Sequence, residues 1–231
     1  MRKAALALLF SVALAGRAGA APPRPAVLVE LFTSQGCSSC VQSGALIGAL
    51  DRLPHVLALT YPVDYWDYLG WRDTLAKPEF TERQKLYMRA LALRDVYTPQ
   101  IVVDGRLQAA AVDGDAIDDL IRTASGAHAA APRVSLAKTR FAILSGAAPA
   151  GGAAVWLVRY RPGDQSVKVL AGDNRGRTVI EHNVVRELSR LGVWRGHAEA
   201  FRISPLDDRQ LKTVVIIQAL RSGRVLVFAR S

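Results

Sequence analysis

Cys37 and Cys40 are the only two cysteines in the 231-residue chain, and they are spaced C-x-x-C directly after the apolar run Val27 to Phe32 and the polar turn Thr33 to Gly36. Two sulfurs at this spacing, where a strand gives way to a helix, close a small disulfide with little backbone movement and can cycle between oxidised and reduced states. A helix starting near Ser38 places Cys37 at its amino end, where free N–H groups and the helix dipole favour a thiolate. The Cys37 thiol is then expected below its free pKa of about 8.5, with Cys40, one turn further in and more buried, as the resolving thiol. A purely structural disulfide is the competing use, but a ring this small removes little entropy from the unfolded chain. Zinc usually needs four ligands, and His55, His128, His182 and His197 show no paired spacing. No metal and no cofactor beyond the Cys37–Cys40 disulfide is expected.

The compartment has to permit such chemistry. Arg2 and Lys3, the apolar run Ala4 to Ala15 and the small-residue pattern Ala18-Gly19-Ala20 read as a signal peptide over residues 1–20. The mature chain is therefore expected in the periplasm or outside the cell, where disulfides persist, with no stable membrane span once the signal is removed. Cleavage takes away Arg2, Lys3 and Arg17, leaving 27 basic against 20 acidic residues, a net charge of +7. The arginines are scattered and the aromatics do not interleave with them, which argues against nucleic acid as a partner.

The elements that position the cysteines follow in order. Val27 to Phe32 is nearly continuous in apolar residues, as in a parallel strand covered on both faces. Glu30 interrupts it. Such a carboxylate either exchanges a proton with Cys40 or pairs with an arginine or with water at a strand edge. Ser38 to Leu50 carries helical spacing, weakened by Gly44 and Gly48, and Val56 to Tyr61 reads as a second buried strand. The pair makes a parallel crossover unit. Residues 62–77 form a long aromatic and acidic loop in which Trp66, Tyr68 and Trp71 can roof the disulfide or grip a substrate, or pack only onto their own loop. A helix from Pro78, the phrase Tyr97-Thr98-Pro99-Gln100, a strand turning at Asp104-Gly105 and a helix running to Ala124 complete this half.

This order resembles the thioredoxin fold, and the resemblance implies a cis bond at Pro99 lying against the disulfide. It also implies that Thr98 offers its backbone to an extended substrate, with Glu30 in the place of the buried acid of thioredoxins. The phrases Glu30 to Cys40, Val63 to Trp71 and Tyr97 to Gln100 are similar to those of a family of exported bacterial thioredoxin-like proteins classed as a domain of unknown function. The resemblance implies that relatives often carry proline after the second cysteine and histidine before the Val-Asp-Tyr-Trp phrase, whereas this chain has Val41 and Pro62.

The small residues Ser125 to Ala131 mark a change of character. The expected organisation is an α/β thioredoxin-like domain over 21–126, followed by a β-rich, sandwich-like domain over 127–231. Strands are expected at 134–144, 153–160, 167–171, 178–188, 198–203, 213–218 and 225–229, with Pro162-Gly163-Asp164 as a turn and Gly172 to Arg177 as a hairpin tip. His182, Asn183 and Arg186 form either a surface site or a solvated strand face.

The functional expectation is a thiol-disulfide oxidoreductase with Cys37 as attacking sulfur, Cys40 as resolving sulfur and Glu30 as the associated acid. Thr98, Pro99, Trp66 and Trp71 hold the substrate. Its partners are protein thiols or disulfides of the envelope, small thiols and a redox partner protein. The alternatives are a binding module with a static disulfide, and copper handling through the two cysteines.

Overall fold

The computed structural model describes residues 26–125 and 131–231. The expected signal peptide and the expected boundary at 126/127 lie outside the described residues.

Strand β1 (Val27–Thr33) is buried along its whole length. It pairs in parallel with β2 (Val56–Pro62) on one side and antiparallel with β3 (Gln100–Val103) on the other. Strand β4 (Leu107–Ala110) closes the hairpin that turns at Asp104 and Gly105. Helix α1 (Ser43–Asp51) and helix α3 (Gly114–Ser125) flank one face, where Ile47, Ile117 and Ile121 meet Val27, Val29 and Leu31. Helix α2 (Pro78–Ala90) covers the other face, setting Phe80 and Tyr87 against Leu28, Phe32 and Tyr61. The alternation along β1 is thus shared between two cores.

Five of the remaining strands are β5 (Val134–Ala137), β6 (Arg140–Ile143), β7 (Ala153–Lys168), β8 (Thr178–Trp194) and β9 (Glu199–Arg202). The last two are β10 (Lys212–Ala219) and β11 (Val225–Arg230). Four of these extend the first sheet, giving one mixed eight-stranded sheet in the order β11-β10-β7-β8-β2-β1-β3-β4. A three-stranded sheet, β5-β6-β9, packs Phe141, Ile143 and Phe201 onto Val155, Leu157, Val215 and Ile217.

The expected α/β thioredoxin-like domain followed by a separate β domain is therefore corrected. The protein is mostly β, with one large mixed sheet that runs through both halves and few helices. The α2-side core shows why: Val158, Tyr160, Val214 and Ile216 join Leu28, Phe32, Leu57 and Tyr61 in a single apolar cluster. The junction at β2 and β8 has a single ladder pair, Thr60 with Val184. Side chains complete it, with Thr60 Oγ1 donating to the His182 carbonyl at 2.6 Å and Asn183 Nδ2 donating to the Ala58 carbonyl at 3.0 Å. Periodicity reports that a strand is buried, not which strand lies beside it.

Local differences have local causes. Pro162-Gly163-Asp164 is not a turn between strands; it lies within β7, where the register with β8 shifts between Arg161 and Asp164. A bulge absorbs the proline and keeps the ladder going. Residues 134–143 form a hairpin, not one strand. Helix α1 starts at Ser43, five residues later than expected, after a three-residue 3₁₀ turn over Ser38–Cys40. Gly44 is there for space: a Cβ at that position would lie 1.8 Å from the Ile180 carbonyl oxygen of β8.

Candidate functional site

Cys37 and Cys40 are joined as a disulfide, with Cα atoms 5.3 Å apart. Cys37 caps the 3₁₀ turn in an extended conformation, and its carbonyl accepts the Cys40 N–H at 3.1 Å. Both cysteines are buried, at 3% and 1% exposure, beneath the exposed Ser38 and Ser39. Ser39 Oγ lies 3.3 Å from Cys37 Sγ. A turn this short, separated from α1 by Val41 and Gln42, supplies less dipole than a helix starting at Ser38.

The Thr98–Pro99 bond is cis. The Thr98 carbonyl oxygen lies 3.8 Å from Cys37 Sγ, so this loop borders the disulfide. Trp66 from the aromatic segment donates its Nε1–H to Thr98 Oγ1 at 2.7 Å, and the Trp66 side chain lies against Gly36. Trp71 donates Nε1–H to Gln35 Oε1 at 3.0 Å. Thus Cys37, Cys40, Thr98, Pro99 and Trp66 come together, with Trp71 one contact behind them through Gln35.

Glu30 is placed elsewhere. It is 1% exposed and points to the α2 side of β1. There Arg83 Nε donates to its Oε1 at 2.6 Å, Arg83 Nη2 donates to its Oε2 at 3.1 Å, and the Tyr87 hydroxyl also donates to Oε2. The Arg83 guanidinium faces the rings of Tyr61, Tyr87 and Trp156 at 5.2–5.5 Å and reaches Gln218 of β10 at 3.4 Å. Burial alone pulls Arg83 down, and Glu30 beside it more than offsets this, so its pKa is raised. Burial, reinforced by the Glu30 charge, also pushes the Tyr61 and Tyr87 hydroxyls well up. Of the two readings of Glu30, its hydrogen-bond partners match the arginine pair.

Two residues that reasoning from the sequence passed over lie at the cysteine loop. Asn174, fully buried at the β7–β8 tip, donates Nδ2–H to the carbonyls of Gln35 at 2.8 Å and Cys37 at 2.9 Å. The hairpin-tip reading of 172–177 is correct in conformation, but the tip also clamps the loop. The other is Glu181, 2% exposed, whose two carboxylate oxygens have no hydrogen-bond partner among the described residues. A carboxylate on a strand of alternating burial carries no sequence signal that separates it from a solvated one. His182 bridges Asp164 at 2.6 Å and Asp51 at 3.3 Å, tying β7 to α1. Among the described residues no group of three or more His, Cys, Asp or Glu side chains could hold a metal ion. No helix of the described residues is long and apolar enough to cross a membrane.

The fold and the site define a class: a mostly β protein with one mixed sheet and a C-x-x-C disulfide beside a cis proline. Residues 28–218 match the family of proteins of unknown function called DUF1223, and the chain belongs to that family. It is similar to the crystal structure of a protein from Agrobacterium tumefaciens, with 30% identity, a TM-score of 0.72 and coverage of 91% of this chain and 95% of that one. It is similar in fold to HBP35 of Porphyromonas gingivalis, at 12% identity and a TM-score of 0.60, over 90% of this chain and 75% of that one. No curated protein matches the chain.

Proposed function

We propose that the protein is an exported thiol-disulfide oxidoreductase acting through Cys37 and Cys40. The observation that carries the reading is the disulfide lying against the cis Thr98–Pro99 peptide, with the Thr98 carbonyl 3.8 Å from Cys37 Sγ. In one direction a substrate thiolate attacks Cys37 Sγ, the Cys37–Cys40 bond breaks, and Cys40 leaves as a thiolate that takes a proton. The substrate's second thiolate then attacks its own sulfur in the mixed disulfide, and Cys37 leaves as a thiolate. The substrate departs as a disulfide while the Cys37–Cys40 pair is left reduced; attack by Cys40 would only re-form the starting disulfide and release the substrate thiol unchanged. Run backwards, the same steps oxidise the reduced pair. Thr98 and Pro99 border the sulfur where an extended chain would pair, and Trp66, bonded to Thr98, has to yield or serve as its wall. The partners on this reading are protein thiols or disulfides of the cell envelope.

The test is trapping. Cys40→Ser should accumulate mixed disulfides with envelope proteins in the native host, while Cys37→Ser should accumulate none. Trapping by Cys37→Ser alone reverses the two roles, and no trapping by either removes the reading.

A second reading has its own support. Both sulfurs are almost completely covered, which suits a static disulfide in a binding module. A reduction potential below about −300 mV, with no exchange toward a model disulfide, would favour it.

A further inference from the structure

On the three-stranded sheet, Phe141 of β6 and Phe201 of β9 are register partners and both belong to the apolar core. Side chains alternate along a strand, so their neighbours Arg140 and Arg202, also register partners, turn outward, and both are exposed. Like charges directly opposite each other on two strands repel and cost stability. Neither guanidinium has a hydrogen bond or an ion pair among the described residues. The pair opposes folding, which points to another use for it.

Both arginines line a cleft of about 720 Å³, together with Thr139 and the rest of residues 200–205. Part of that lining is fixed by Arg159, which is 7% exposed. It donates to the Ser204 and Pro205 carbonyls, the latter at 3.4 Å, while Glu187 balances its charge at 2.9 Å. A second cleft, of about 620 Å³, shares Thr139 and Pro205 with the first and adds Lys138, Arg209 and Lys212. Five cationic side chains thus line the two clefts, and no aspartate or glutamate does. Asp207 is exposed and lines neither, and Asp208 is engaged by Arg161 at 2.8 Å and by the Gln210 N–H at 2.8 Å.

The chemistry selects the ligand. Two facing guanidiniums need a group of about two negative charges to neutralise both. A carboxylate carries one. A phosphate monoester carries about −1.5 to −2 near pH 7, with three acceptor oxygens that can meet both planar forks. Each cleft is of the size that holds small molecules, about 300–1,000 Å³.

We propose that Arg140 and Arg202 bind a phosphoryl group of a soluble, multiply phosphorylated small molecule, and that Lys138, Arg209 and Lys212 hold a second anionic group of the same molecule. None of these residues belongs to the cysteine site, so this site and the exchange reading stand or fall separately.

The experiment is calorimetric titration of the full chain at about 0.15 M salt, with pyrophosphate, tripolyphosphate and citrate as probes. Pyrophosphate should bind at least about tenfold more tightly than citrate, which carries a similar charge on carboxylates. Arg140→Gln and Arg202→Gln should each weaken pyrophosphate at least about tenfold. Lys138→Gln combined with Lys212→Gln should weaken tripolyphosphate about fivefold and pyrophosphate less than about twofold. Lys168→Gln combined with Arg177→Gln, exposed cations of the β7–β8 hairpin, should change neither by more than about twofold. No heat from either polyphosphate, equal affinity for citrate, or equal losses from the cleft and hairpin variants each overturn the proposal. Binding to phosphatidylcholine vesicles containing phosphatidic acid, with both polyphosphates left free, also overturns it, because the ligand is then a lipid headgroup. Thermal melting supplies the second measurement. Without ligand, Arg140→Gln and Arg202→Gln should melt no lower than wild type, since each relieves a repulsion. Tripolyphosphate should raise the melting temperature of wild type and not theirs. An equal rise in the variants, or a lower melting temperature for both without ligand, shows the pair serving the fold and overturns the proposal.

Discussion

Two buried polar centres join the halves of this protein, and they are built on opposite plans. On the α2 side, Glu30 and Arg83 form a charged pair whose donors and acceptors are matched, with Gln218 of β10 drawn in. Behind the disulfide, Glu181, Asp73, Gln35 and Asn174 form a cluster in which acceptors outnumber donors and the Glu181 oxygens and Asn174 Oδ1 lack partners. A matched pair fixes geometry at one ionisation state. An undermatched cluster favours a neutral carboxyl whose proton pH can move. The contrast separates stability from reactivity, and it can be tested one centre at a time.

The largest effect is expected at the matched centre. Arg83→Ala leaves the Glu30 carboxylate buried with only the Tyr87 hydroxyl, and breaking a buried pair from one side costs about 3–5 kcal/mol. Urea unfolding at neutral pH measures it. The double change Glu30→Met with Arg83→Met should recover most of that loss, since no uncompensated charge remains. The equilibrium constant of the Cys37–Cys40 pair with glutathione should stay within about twofold of wild type in both variants, because Glu30 bonds to Arg83 and Tyr87 instead of to the cysteine loop. A change of tenfold or more there would return Glu30 to the redox chemistry.

Asn174→Ala comes next. It strands the Gln35 carbonyl and leaves the Cys37 carbonyl with the Cys40 N–H alone, and an unsatisfied buried acceptor costs about 1–3 kcal/mol, partly relieved here if water enters. Stability should fall by about 2 kcal/mol in the same unfolding measurement. In contrast to Arg83→Ala, the glutathione equilibrium should move by more than about threefold, since the Cys37 carbonyl is released with the loop. An unchanged equilibrium would mean that the clamp serves packing alone.

How much of this was legible in the residues depends on distance along the chain. The C-x-x-C pair, the strands β1 and β2 and the aromatic segment over the disulfide are written locally, by spacing and by continuous apolar runs. What failed depends on neighbours far apart in sequence. Glu30 sits in a buried strand and looks chemical, but 53 residues separate it from the arginine that claims it. Asn174 sits at a turn that reads as solvent, yet it bonds a carbonyl 137 residues away. Gly44 reads as a flaw in a helix because the residue that needs its missing side chain, Ile180 of β8, comes 136 residues later. The same long-range pairing merges the expected two units into one sheet.

The smallest effect, and the sharpest for the comparison, is how stability depends on pH at the undermatched centre. Glu181 has a folded-state pKa raised above its unfolded value, so the fold binds its proton more tightly than the unfolded chain does. Its contribution is complete below the ordinary carboxyl range near pH 4.5 and is lost as pH rises toward the raised folded value. Within that window wild type should lose stability relative to Glu181→Gln by up to about 1.4 kcal/mol per pH unit, the slope of one proton. Near pH 4 the two should differ by less than about 1 kcal/mol, since an amide replaces a neutral acid of the same shape. Chemical denaturation at four or five pH values gives the difference curve. Parallel curves throughout would mean that Glu181 is as well compensated as Glu30, and the distinction between the two centres would disappear.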